Sequence, residues 1–451
     1  MPSPRSVEAS CGLSPSGGAS VLQEAWGLLG GERLGNARRV RTLGLGAAVR
    51  EFNERAVPGL GGVWFGKQVL LATLGIVVAE RARHAGARVG NIEVANAIEA
   101  LACFLAFQGN AWAQDPRLRG VQKLQARGGD LAFAKVKQRN FYVTQPMRMS
   151  TVQALPSLGF AASDGVRFNG FASTELGRAF VACACEGFRP SNRDLVDHLV
   201  KWVAAGQARV PVESWQLTLA LNPTTPLPEA ASRVLAEGLN RDDAMQSRRR
   251  SQVLAWVELL RQRVPKRLGW AQRPAGIEPD HWDDLASGAR FFAVRAASLE
   301  VLDAMEVAMA ARTGECVFAL GTDSLPRTVI ERLPLLRAAA KSYLAMGHPQ
   351  RDAAAFSREC LREDAEALAA LVARDGAVLR RLGAEIRPGA AFSFSAAPPD
   401  AVADELGAPE VSRLGLPADM SYRVGNLFLL NLDMRGQLQA WLDADRPRAS
   451  A

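Results

Sequence analysis

Cysteine and histidine are scarce in this chain, and long apolar runs are missing. Six cysteines (Cys11, Cys103, Cys183, Cys185, Cys316, Cys360) in 451 residues exclude a disulfide scaffold. Only Cys183 and Cys185 lie close together, and on a helix neighbours two apart point to different sides, so they do not form a shared metal site. The four histidines, His84, His198, His281 and His348, include no His-x-x-x-His pair and none sits beside cysteine at metal-ligand spacing. The most apolar run, Val69 to Ala79, covers roughly half of what a membrane-crossing helix needs, so a buried core helix is expected there. Residues 1–20 are rich in Ser, Gly and Pro, have no signal-peptide core and are expected to form a disordered leader. A reducing, cytoplasmic setting without membrane contact fits these features best.

Catalytic motifs are equally thin. The segment Gly62-Val-Trp-Phe-Gly-Lys67 carries a lysine after glycine but not the spacing of a phosphate-binding loop, and no Ser or Thr follows it. Leu43-Gly-Leu-Gly46 lacks the third glycine of a dinucleotide fingerprint. Ser173, Ser324 and Ser393 are not set in a Gly-x-Ser-x-Gly elbow, and Cys103 and Cys316 lie in apolar company. One dense carboxylate–imidazole cluster exists, Asp280-His281-Trp282-Asp283-Asp284. It has the donors for a divalent metal or acid–base chemistry, and it equally fits an exposed helix start, where acids favour the positive end of the dipole. No cofactor and no metal are expected.

What the chain does have is unevenly placed positive charge. Between Arg117 and Ser150 stand eight basic residues and one acid, Asp130. Residues 117–178 hold +7 and residues 241–273 hold +6, against +8 for the whole chain. Two basic islands on an otherwise acidic protein read as localised contact surfaces, and a phosphate backbone is the commonest partner for them. Lys135, Lys137, Arg139, Phe141 and Tyr142 alternate charge with aromatics, as a groove that grips phosphate and stacks bases would, or as a strand end with core aromatics and solvated cations would.

The periodicity is mainly α-helical. Helices are expected over Val63–Arg83, with His84-Ala-Gly86 as the stop, and over Ile92–Phe107. Further helices are expected from Asn192 to Ala204, Asp242 to Val264, Ser287 to Arg312, Pro326 to Met346, Asp352 to Leu382 with Gly383 as a stop, and Val424 to Leu442. Phe392 to Ser395 is expected to form a brief strand. Asn222 to Pro228 (Asn-Pro-Thr-Thr-Pro-Leu-Pro) is the clearest linker. The expected organisation is therefore a helical region over 21–116, a module with flanking helices over 117–221, and a C-terminal helical bundle over 229–451.

Between 141 and 187 a helix over Thr144–Leu158 is followed by a turn at Ala162-Ser-Asp-Gly165, an alternating segment to Ala172, and a helix from Glu175 to Cys185 capped by Ser173 or Thr174. This order, with Ser-Thr-Glu-Leu-Gly-Arg-Ala-Phe at 173–180, resembles the winged helix-turn-helix superfamily. The resemblance implies a recognition helix at about Pro146 to Leu158, reading bases with Arg148, Ser150, Thr151 and Gln153, and a wing around Asp164 to Gly170 touching the backbone near Arg167. Such modules also serve as protein-binding units.

The functional expectation is a non-catalytic DNA-binding subunit of a complex for DNA processing, regulation or antiviral defence, with protein partners and an open question of any small ligand. Its contacts are expected at Arg117, Arg119, Lys123, Arg127, Lys135, Lys137, Arg139, Arg148, Ser150, Thr151, Gln153, Arg167, Arg248, Arg249 and Arg250. The rivals are a protein–protein scaffold and a metal-dependent nuclease or hydrolase around 280–284.

Overall fold

Two long helices, wrapped in apolar residues on every side, set the architecture of this computed structural model. It describes residues 41–445 except 164, 166, 242, 243, 313–315, 393–413 and 418. After α1 (Gly46–Ala56), helix α2 (Gly66–His84) is continuously buried from Gly66 to Ala79, and α3 (Asn91–Gly109) is buried over most of its length. Their starts are satisfied by side chains. Gln68 accepts from the amides of Trp64 (2.8 Å) and Phe65 (3.4 Å), Asp433 accepts from Gly66 (2.8 Å), and Glu93 accepts from Gly90 (3.0 Å). Gly86, at φ +90°, lets the chain leave α2 in a tight turn. The helices close on each other at Gly75, where an added Cβ would lie 2.5 Å from that of Ala95. Helix α3 has the length and hydropathy a bilayer would accept, but its apolar faces are taken up inside the protein.

The chain then runs through α4 (Val121–Arg127), the single turns α5 (Phe133–Val136) and α6 (Ala154–Ser157), and the antiparallel hairpin of β1 (Ala161–Ser163) and β2 (Phe171–Ser173). Helix α7 (Glu175–Cys185) follows as expected, with the Thr174 hydroxyl accepting from the Gly177 amide at 3.0 Å. Next come α8 (Leu195–Ala205), α9 (Trp215–Leu221), α10 (Glu229–Asn240), α11 (Ala244–Gln262) and the 32-residue α12 (Pro279–Ala310). Beyond β3 (Phe318–Ala319) lie α13 (Arg327–Ile330), α14 (Leu333–Leu344), α15 (Arg351–Glu359), α16 (Asp364–Asp375), β4 (Leu379–Leu382), β5 (Glu385–Pro388), α17 (Tyr422–Met434) and α18 (Leu438–Asp445). The fold is mainly α, with two small antiparallel sheets, the second in the order β3-β5-β4.

The hydrophobic core does not divide at Asn222–Pro228. One cluster takes residues from Ala56 to Leu285 and again from Val424 to Leu442, with Leu227 inside it; the other takes Leu43 to Phe52 and Phe291 to Ile386. Helices α1 and α12 pass from one cluster to the other, so the C-terminal bundle expected over 229–451 is shared between two cores. Four elements here differ from expectation, the last of them Val424–Leu442, which is split into α17 and α18 at Gly436 (φ +67°). Residues 352–382 form α15, α16 and β4 rather than one helix, and Gly383 (φ +62°) makes the turn of a hairpin. Asn192 closes a 3-10 turn, and α8 begins at Leu195. The region Pro326–Met346 is two helices, not one. The leader over 1–20, Cys11 and the expected strand beyond Phe392 lie outside the described residues.

Candidate nucleic-acid interface

The cations of 117–148 fall into three environments. Arg117 is buried at 2% exposure, its guanidinium paired with Asp115 (2.7 Å) and bonded to the Thr224 carbonyl (2.9 Å) and to Gln439. It holds α18 and the 222–228 segment to the core, so its expected phosphate contact is replaced by an internal network. Arg148 is also turned inward: its Nε donates to Asn96 at 2.7 Å, and its guanidinium lies 4.9 Å from the centre of the Phe168 ring. Arg119 is half-buried and reaches the Gln145 carbonyl at 3.4 Å.

A second group is half-buried and neutralised. Lys135 pairs with Asp130 at 3.1 Å and Lys137 with Glu93 at 3.2 Å. The third group keeps its charge. Lys123 and Arg127, one helical turn apart on α4, donate to the carbonyls of Tyr142 (3.3 Å) and Asn140 (2.6 Å). A carbonyl satisfies a donor without cancelling the charge. Arg139, next to Asn140, is exposed, and none of these three cations has a carboxylate partner among the described residues. They converge on the short segment 139–142. Its aromatics are no stacking platform, because Phe141 and Tyr142 are buried, Tyr142 with its hydroxyl 3.2 Å from Cys103 Sγ.

The implied recognition helix is not formed. Residues Met147–Thr151 make a 3-10 turn, and α6 adds one α-turn before Gly159. Pro156 lacks the amide that a continuous helix would bond to the Val152 carbonyl, whereas Pro146 stands at the start, where no amide is needed. The buried Glu99 carboxylate takes the Met147 and Arg148 amides at 2.6 and 3.0 Å, tying the segment to α3. Burial pushes Glu99 up from the ordinary carboxylate range, against the pull of those amides. Of the residues expected to read bases, Arg148 and Thr151 are turned inward, whereas Ser150 is half-buried and Gln153 exposed. Thr151 is fully buried and donates to the Arg148 carbonyl (2.8 Å), the Ser150 carbonyl accepts from Gly62 (3.0 Å), and Gln153 accepts from Arg423 (2.8 Å). The expected hairpin is present as β1 and β2, with Arg167 exposed beside it; positions 164 and 166 lie outside the described residues.

The second basic island is split: Arg241, Arg248, Arg263, Lys266, Arg267 and Arg273 are exposed, whereas Arg249 and Arg250 turn inward. Arg250, 1% exposed, bonds to the carbonyls of Leu239 (3.2 Å) and Pro58 (3.3 Å) and to the Ser157 hydroxyl (3.1 Å). Arg249 is paired with Asp284 at 2.8 Å and with Asp280 at 3.4 Å; of Arg248, Arg249 and Arg250 only Arg248 is exposed, and it meets Glu278 at 3.3 Å. Within the carboxylate–imidazole cluster the side chains separate instead of converging. His281 is fully buried between Gln252 (2.9 Å) and the Ala56 carbonyl (2.9 Å), Asp283 faces solvent, and Asp284 turns to Arg55 (3.1 Å), Arg249 and His348 (3.0 Å). Burial alone would raise Asp284; the hydrogen bonds from His348 and Arg249 outweigh it and hold the carboxyl below its ordinary range. Among the described residues no group of three or more His, Cys, Asp or Glu is placed to hold a metal ion.

His348 joins this network from 64 positions away, which spacing in the sequence does not reveal. The same holds for Lys67, buried beside Asp433 and bonded to the Ala220 carbonyl, where burial lowers its amine to about 8 and raises Asp433 to about 6. The chain matches no protein-family model, no curated protein and no solved structure.

Proposed function

We propose that this chain binds nucleic acid, DNA first, through the exposed face carrying Lys123, Arg127 and Arg139, and that it contributes binding rather than chemistry to a larger DNA-processing, regulatory or defence assembly. The observation that carries the reading is charge left uncancelled: three cations gathered at 139–142, two of them bonded only to neutral carbonyls. Association with a polyanion releases counterions in proportion to the phosphates neutralised, so such a surface gains most from a phosphate backbone. Base reading is not part of the proposal, and binding is expected to be largely independent of sequence.

The test is a salt series of fluorescence anisotropy with a labelled mixed-sequence duplex. Replacing Lys123, Arg127 and Arg139 together by glutamine should lower the slope of log affinity against log salt by about three, since each phosphate contact contributes about 0.9. An unchanged slope removes this face from the interface. A second reading, a protein-binding scaffold, is favoured by the exposed apolar pair on α9, Trp215 (73% exposed) and Leu219 (45%), one turn apart. That reading expects no retention of duplex by the wild type even at low salt.

A further inference from the structure

Helices α15 and α16 lead directly into the β4–β5 hairpin, and between the C-terminal end of α16 and that hairpin lies an open cleft of about 490 Å³, lined by Val372, Ala373, Gly376, Arg380, Arg381 and Gly383. We infer that this cleft is a second nucleic-acid contact, with Arg380 and Arg381 on its rim supplying cations to a sugar–phosphate backbone. The inference rests on the proposal that the chain binds nucleic acid, and adds a surface that the charge pattern of the sequence did not mark.

Three observations carry it. First, the nearby acids are already occupied. Asp375 is bonded by Arg41 at 3.0 Å and by the Val378 and Leu379 amides, Glu359 by Arg374 at 2.7 Å, and Glu385 by Arg387 at 2.7 Å. Arg380 and Arg381 have no carboxylate partner among the described residues; Arg381 donates only to the Gly383 carbonyl, at 3.0 Å. Second, no carboxylate lines the cleft, and Ala373, Gly376 and Gly383 leave the walls low enough for a ligand to approach the protein backbone. Third, the cleft is open, whereas a small-molecule site encloses most of its ligand. An open channel with two guanidinium groups suits a polymer passing through, each group able to donate a forked pair of bonds to one phosphate. Strand β4 is also the outer strand of its sheet, so both arginines sit on an unpaired edge, where charge alone would serve to discourage edge-to-edge association.

The experiment separates these roles. Full-length protein carrying Arg380→Gln with Arg381→Gln keeps a polar edge and loses both charges. In the same salt series its slope should fall by about two, and the combination with the Lys123, Arg127 and Arg139 replacements should fall by the sum. Circular dichroism matching the wild type confirms the fold. If the hairpin variant binds with the wild-type slope while the α4 variant loses its share, the cleft is not a contact and the function stands. If only the hairpin variant loses affinity, the cleft stands and the α4 face is wrong. If the wild type does not retain duplex at low salt, both fall together.

Discussion

Arg117 and Arg127 belong to the same basic stretch and meet opposite fates. Asp115, two residues before Arg117, draws that guanidinium inward, and the remaining partners, Thr224 and Gln439, arrive from distant elements. Arg127 meets only a carbonyl and the Phe141 ring, its guanidinium 6.0 Å over the ring centre. A local count of cations therefore overstates the surface charge, and Arg250 repeats the lesson on α11. The distinction is testable. Arg117→Met breaks the buried pair with Asp115 and removes the bonds to Thr224 and Gln439, and should cost about 3 to 5 kcal/mol in chemical denaturation. It should leave the salt slope of duplex binding unchanged, whereas the Lys123, Arg127 and Arg139 replacements should do the reverse.

At the scale of elements, the helices with dense apolar periodicity were legible: α2, α3, α7 and α11 lie within a few residues of expectation. The failures have physical causes. Between Glu359 and Asp364 there is neither Gly nor Pro to announce a break. The corner is held by Arg337, which bonds the Arg362 carbonyl at 3.0 Å and pairs with Asp364, a contact no local pattern contains. The stop of α16 is Gly376 at φ +60°, ahead of Gly383, the stop expected from the sequence. Close packing of α2 on α3 gives this scale its prediction. Gly75→Val forces new carbon atoms into the space of Ala95 and should destabilise the protein by about 1 to 3 kcal/mol, read as a lower denaturation midpoint with an unchanged fold by circular dichroism.

For the whole molecule, the decisive feature is the polar junction between the two hydrophobic clusters. Asp284 on α12 ties Arg55 of α1, Arg249 of α11 and His348 before α15, and Glu51 extends the network to Gln350 at 3.2 Å. The ring of His348 also lies 4.9 Å from that of Phe52, in the smaller cluster. Asp284→Ala removes the shared carboxylate and leaves two arginines without it, a loss of about 3 kcal/mol or more. It should also uncouple the clusters. The tryptophans of the described residues outside α9 pack with the larger cluster, so their fluorescence follows that cluster, whereas far-ultraviolet circular dichroism follows both. The two signals should coincide on denaturation of the wild type and separate in the variant; coincidence in both would mean that the junction does not transmit cooperativity.

The sequence by itself determined that the chain is mainly α-helical and where its longest helices lie, because helical periodicity is written within a few turns of chain. It also determined how much positive charge there is and in which stretches. Which of those charges face solvent was decided only in the tertiary structure, since a cation is cancelled or spared by the groups the fold brings against it, as Glu93 of α3 meets Lys137 and Asp284 of α12 meets Arg249. The same reason placed the uncancelled arginines of β4 beside an open cleft in a stretch whose linear charge pattern drew no notice.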